Sequence, residues 1–202
     1  MRQAALGLIA GAALAAVWDG NPALVVVAGI ALFLAGLDAT EGLAQETDHP
    51  LLAASYPVSW GPLLVRHLLA PAALVLGAEL GGFVVVAVFS GSALALEIGA
   101  LVLIPAALAA AVGAAAAVVL GTPSANLLAF GSQMGFPELS TILVLLRQTF
   151  PPAMAILAVA PVAIAEGTTK DALATAAGAL AVPLLAVVGV AFWIHSRKLR
   201  FE

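Results

Sequence analysis

DATEGLAQETDHPLLAASYPVSWGPLLVRH, residues 38–67, is the longest polar interruption in a chain that is otherwise almost continuous hydrocarbon. It holds four of the eleven acidic residues, two of the three histidines and the single tyrosine. On either side the sequence reads as membrane. Of the 202 residues, 63% are hydrophobic and 9% charged, with a mean hydropathy of +1.16. A soluble domain carries about 25% charged residues, so this chain lacks the polar surface that water requires. Its apolar runs approach or exceed the roughly 20 residues of a membrane-spanning helix. They do not alternate in polarity as barrel strands do. The expected fold class is all-α, a polytopic membrane helical bundle.

Six transmembrane helices are predicted in one domain over residues 1–202, at about 3–18, 22–37, 62–89, 93–120, 150–165 and 172–194. The first run, with Arg2 before it and Ala13-Leu14-Ala15 within it, also fits a signal peptide. Asp19-Gly20-Asn21-Pro22 reads as a turn, with Pro22 suited to opening the next helix. Pro71 and Pro105 fall inside long runs and are candidate kinks. Between the fourth and fifth spans, in the second loop 121–149, Glu138 to Gln148 reads as a short amphipathic helix. It is expected to lie flat at the interface or to pack as a partner helix, because otherwise Arg147 is drawn inward; the alternative is that it begins the fifth span, with Pro151-Pro152 as a kink. Gly77-x-x-x-Gly81 is a small-xxx-small pair able to bring helices close, as at a dimer face, although such pairs arise often by chance in an alanine-rich chain.

With six spans both termini share a side. Arg2, Arg66, Arg147, Arg197, Lys198 and Arg200 fall on it, and only Lys170 falls opposite. That bias predicts a cell-membrane protein with cytoplasmic termini and cytoplasmic loops at 38–61 and 121–149.

Chemistry-bearing residues are few. With no cysteine, thiolate chemistry is excluded. His49 and His67 lack ligand-type spacing, so no metal site is expected. Ser55, Ser59 and Ser132 lack a nucleophile setting, and no phosphate-binding glycine loop follows a strand. The chain is not expected to hydrolyse ATP itself, and without a basic patch no nucleic-acid partner is expected. Glu79 and Glu97 are the two carboxylates inside predicted spans, both placed in the outer half. An acid there usually faces a bundle interior or wet cavity, which makes both candidates for a substrate or proton path. The alternative is that Glu97 reaches the outer interface and Glu79 is neutral and hydrogen-bonded.

The polar loop itself combines an apolar knob (Leu51, Leu52, Tyr56, Val58) with an acidic rim, the composition of a docking element more than of a solvated linker. Glu41-Gly42 in an acidic stretch, a leucine-bearing segment, Pro57-Val58-Ser59, Leu63-Leu64 and then Arg66 leading into a span resemble the membrane subunits of ABC-type exporters, the type-2 exporter permeases. The motif covers about residues 38–70, and the span count covers the whole chain. The resemblance implies that loop 38–61 docks on a separate cytoplasmic ATP-binding subunit. Its contacts would be Glu41, Glu46, Asp48, His49, Leu51, Leu52, Tyr56, Pro57, Val58, Ser59 and Arg66. It further implies a second permease copy or homologous half, Glu79 and Glu97 on the substrate path, and no cofactor in this chain, with ATP and Mg held by the partner. The sequence departs from the family where Thr40-Glu41 replaces a Glu-Arg pair, and residues 166–171 are too few for a re-entrant pair before the last span. A proton-coupled secondary transporter with Glu79 titrating, or a structural subunit of a larger membrane complex, are the competing readings.

Overall fold

In hydrocarbon every backbone N–H and C=O must find its partner inside the protein, and an apolar run does so by closing its own helical ladder. The computed structural model describes residues 1–49, 59–89, 91–122, 133, 136–168 and 171–197. All regular structure among them is helical. In chain order the helices are α1 (Arg2–Trp18), α2 (Leu24–Ala39), α3 (Glu41–Asp48), α4 (Trp60–Arg66), α5 (Leu69–Phe89), α6 (Ala93–Leu120), α7 (Pro137–Glu166), α8 (Ala172–Ala179) and α9 (Ala181–His195).

Four units are long and apolar enough to cross a membrane: Trp60–Phe89, Ala93–Leu120, Glu138–Glu166 and Ala172–His195. The first joins α4 to α5 and the last joins α8 to α9. α2 qualifies only together with α3, across a bend of 54°. α1 has 17 residues, or about 25 Å of rise, against a hydrocarbon layer of about 30 Å. Of the six expected spans, four therefore stand on length and composition.

The turns follow local chemistry. Gly20, with φ +92°, reverses the chain between α1 and α2, as the Asp19–Pro22 composition predicts. Thr40, fully buried, donates its hydroxyl to the Leu37 carbonyl at 3.0 Å and marks the α2–α3 bend. Ser92 caps α6, its hydroxyl accepting from the Ala95 N–H at 3.3 Å. Pro71 lies in the first turn of α5, where its missing N–H costs nothing. Pro105 is inside α6.

α6 is the axis of the bundle. In its most apolar stretch 61% of residues are buried, against 22–28% in the other three candidate spans. α7, α5, α2 and α9 all pack on it. Small residues make this possible. A Cβ on Gly36 of α2 would stand 2.7 Å from the Ala110 carbonyl oxygen, and one on Gly113 of α6 would stand 2.6 Å from that of Pro151.

The closest seam lies elsewhere. α1 packs most extensively on α5, and Gly7 and Gly11 lie directly on the backbones of Ala78 and Gly82. The pair noted in the sequence, Gly77 and Gly81, takes no part in this seam and has open space before it within the chain. Both registers satisfy the small-xxx-small rule, but one residue along a helix is a rotation of about 100°. Ala78 and Gly82 share the buried face of α5 with Val75, Glu79 and Val86.

α7 corrects an expectation. Residues 137–166 form one continuous helix, with Pro151 and Pro152 inside it. There is no separate flat helix at 138–148 followed by a span from residue 150. Arg147, the reason for expecting a break, donates to the Leu120 carbonyl at the end of α6. It also reaches the carbonyls of Gly121 at 3.3 Å and Thr122 at 3.4 Å. A cation thus caps the negative end of the neighbouring helix, and Pro151, fully buried, packs at Gly113.

The seam predicts unequal costs for two similar glycines. Gly11→Leu, aimed at the Gly82 backbone, should destabilise by about 1–3 kcal/mol or more. Gly81→Leu, facing open space, should cost under about 0.5 kcal/mol. Thermal unfolding in detergent micelles measures both, and equal losses would refute the seam.

Candidate functional site

Ionisable groups collect at the two ends of the bundle and at one point between them. At the first end, Arg2 opens α1 beside the close of α2, where its Nε stands 3.0 Å from Asp38 Oδ2. α3 continues from there as an acidic helix. Leu43 is its buried anchor, while Glu41, Asp48 and His49 are exposed. Glu46, half-buried, has Oε1 3.8 Å from Nε2 of His67, in the turn before α5. Ser59, exposed, precedes α4, and Arg66, also exposed, ends it. α4 lies against the end of α9 so closely that Gly61 meets the His195 carbonyl. The Arg197 guanidinium caps this corner, 4.1 Å above the Trp193 ring. All four arginines among the described residues, Arg2, Arg66, Arg147 and Arg197, lie at this end. The opposite end carries Asp19, Glu97, Glu166 and Asp171.

The expected docking residues thus divide. Glu41, Glu46, Asp48, His49, Ser59 and Arg66 border one end of the bundle. Leu51, Leu52, Tyr56, Pro57 and Val58 lie outside the described residues, as do Lys170, Lys198 and Arg200.

The point between the ends is Glu79. It is the eleventh residue from each end of α5, about 15 Å from either, and the twentieth of the 30 residues in the Trp60–Phe89 span. Its side chain is 6% exposed. Neither carboxyl oxygen has a hydrogen-bond partner among the described residues. The Ala107 backbone of α6 approaches it without reaching hydrogen-bonding geometry.

Glu79 lines a cavity walled by α1, α2, α5, α6 and α7, with Gly7, Gly11, Gly82 and Gly99 among its neighbours and Trp18 and Phe83 as its aromatic walls. Glu97, exposed near the start of α6, is not part of it. The structure therefore separates the two acids that the sequence grouped. No group of three or more His, Cys, Asp or Glu able to hold a metal ion occurs among the described residues.

Two features escaped the sequence reading. One is the Arg147 cap on α6, for which no short-range signal exists. The other is the cavity, whose signal was present: glycines on three runs, Gly7 and Gly11, Gly82, and Gly99, that come together only in three dimensions.

Comparison of this chain with protein-family models, curated proteins and solved structures finds no match.

A buried polar group without a partner costs about 1–3 kcal/mol. Glu79→Met, similar in volume and apolar, is therefore expected to stabilise the protein by roughly that amount. Glu97→Met should change stability by less than about 0.5 kcal/mol. Unfolding in micelles compares the two, and a clear loss of stability in the Glu79 variant would show that its carboxyl is satisfied.

Proposed function

We propose that this chain is the membrane subunit of an ATP-driven ABC-type transporter, an exporter by its resemblance, coupled through residues 38–61 to a separate cytoplasmic ATP-binding subunit. The observation that carries the reading is α3: an acidic helix bent 54° away from α2. It is anchored by buried Leu43 and meets His67 through Glu46, yet presents Glu41 and Asp48 outward. A helix turned off its span, fixed at its base and charged on its free side has the form of a docking lever. The apolar knob at Leu51, Leu52 and Tyr56 follows directly in sequence.

In this reading the chain crosses six times, with α1 and α2 completing the count as a hairpin closed by Arg2 and Asp38. The arginine-bearing end is cytoplasmic by the positive-inside bias, in the cell membrane. A second copy or homologous half supplies the other wall of the pathway. ATP and Mg belong to the partner. A proton-driven carrier is the second reading, and Glu79, alone at mid-helix in its cavity, is the observation that favours it. Transport driven by a pH gradient without nucleotide would establish it over the first.

Purification in mild detergent tests the docking. A Walker-type ATPase is expected to co-purify with the wild-type chain. The variant Glu41→Arg/Asp48→Arg/Leu51→Glu/Tyr56→Glu should retain at most about a tenth of it, equivalent to about 1.4 kcal/mol of binding. Its unfolding midpoint should stay that of the wild type, because none of the four is expected to anchor the bundle. Undiminished stimulation of the ATPase by this variant would end the docking claim.

A further inference from the structure

We propose that the cavity beside Glu79 is a binding site for single-chain lipophilic ammonium ions, a compact positive head on an apolar tail. The inference goes beyond the ATP-driven reading, because it concerns only helices of this chain, whatever subunit supplies the energy.

Charge comes first. Both Glu79 oxygens are buried without a hydrogen-bond partner among the described residues, and no other cavity-lining residue is ionisable. Arg2 on α1, Asp38 on α2, Glu97 on α6, and Glu138, Arg147 and Glu166 on α7 all lie outside the lining. An ionised carboxylate so placed has no counter-charge among the described residues that line the cavity. A ligand that brings one gains a strong attraction in surroundings of low dielectric.

The kind of cation follows from the walls. A metal ion needs several oxygen or nitrogen ligands to replace its water, and here one carboxyl stands among apolar groups. An alkylated ammonium sheds water readily and is attracted to aromatic rings, and Phe83, one turn beyond Glu79 on α5, is in the lining.

The space beside the carboxyl sets the size of the head. The cavity has a volume of about 40 Å³, worth a few waters, which accepts a head of a few heavy atoms and excludes bulky polycyclic cations. The rest of the lining, Leu14, Leu32, Val159 and Val162 among it, is apolar and suits a hydrocarbon tail.

The test uses the full-length protein in nanodiscs of phosphatidylcholine, with dodecyltrimethylammonium as the probe and dodecanol as its neutral match. Labelling of Glu79 by dicyclohexylcarbodiimide is followed by mass spectrometry. The ammonium should slow labelling at least about tenfold at concentrations where dodecanol has no effect. Equilibrium binding of the radiolabelled ammonium should survive in E97Q and be lost in E79Q. Equal protection by dodecanol, no protection by either, or undiminished binding to E79Q would each overturn the proposal. Should E79Q fail to fold, the comparison of the two head groups on the wild-type protein still decides. Because no ATPase is present, a negative result here is distinct from a failure of the docking test.

Discussion

Outside this bundle lies hydrocarbon, and inside it lies hydrocarbon too, so burying a leucine between two helices gains little over leaving it in lipid. What remains to hold helices together is van der Waals contact at short range. The chain meets that constraint by removing side chains where helices cross. Gly7 and Gly11 rest on the backbones of Ala78 and Gly82, Gly36 on that of Ala110, and Gly113 on that of Pro151. Alanines fill most of the buried face of α6 between Ala106 and Ala116. Large apolar side chains such as Leu80, Val84, Val88 and Leu185 are left on the outside. The arrangement inverts that of a water-soluble core.

The same subtraction creates the cavity. Glycines that let α1 lie on α5 leave no side chain to fill the space beside them, and Gly99 on α6 adds to the gap. Glu79 sits on the buried face of α5, one position beyond Ala78 in the seam. Close packing on one flank and empty space on the other therefore share a cause. An acid at that position is held by a contact that cannot loosen without separating two backbones, which fixes its place more firmly than a side-chain-lined pocket would.

Much of the fold was legible in the sequence. Polar turns at Asp19–Asn21 and around Ser92, and the helical runs between them, follow from composition alone. Rotation was not legible. Helices α2, α5, α6 and α9 carry apolar residues all the way round, with at most one carboxylate each, so hydrophobic periodicity, which reveals the inner face of a soluble helix, carries no information here. Two registers of small residues on α5 were equally acceptable, and only the partner helix distinguishes Ala78 and Gly82 from Gly77 and Gly81. Glu79 was recognisable as unusual because charge is rare in hydrocarbon. That Glu97 is not its neighbour required knowing which residue of α5 faces which of α6. The continuity of α7 was hidden for a related reason. Arg147 and the Pro151-Pro152 pair both argue for a break when read locally, and both are satisfied by groups on α6, at Leu120 and Gly113, more than 25 positions away in the chain.

Mechanical continuity links the polar end to the cavity. α3 meets the turn before α5 at Glu46 and His67, 3.8 Å apart. Glu79 is twelve residues beyond His67, about 18 Å along the helix rise. α5 is gripped on one side by the α1 seam and on another by α6, so it cannot bend independently between those points. A displacement of α3 by a docked partner would act on α6, on which α3 packs, and on the turn before α5 through Glu46 and His67, and so would shift the acid and the α6 wall relative to each other. Within the ATP-driven reading this supplies a direct route from lever to site. The energy of the partner would act on the one buried charge by changing the space around it, without any intervening chain of polar contacts. The bundle provides no such chain: between the ionisable groups at either end, the described helices offer that carboxyl alone.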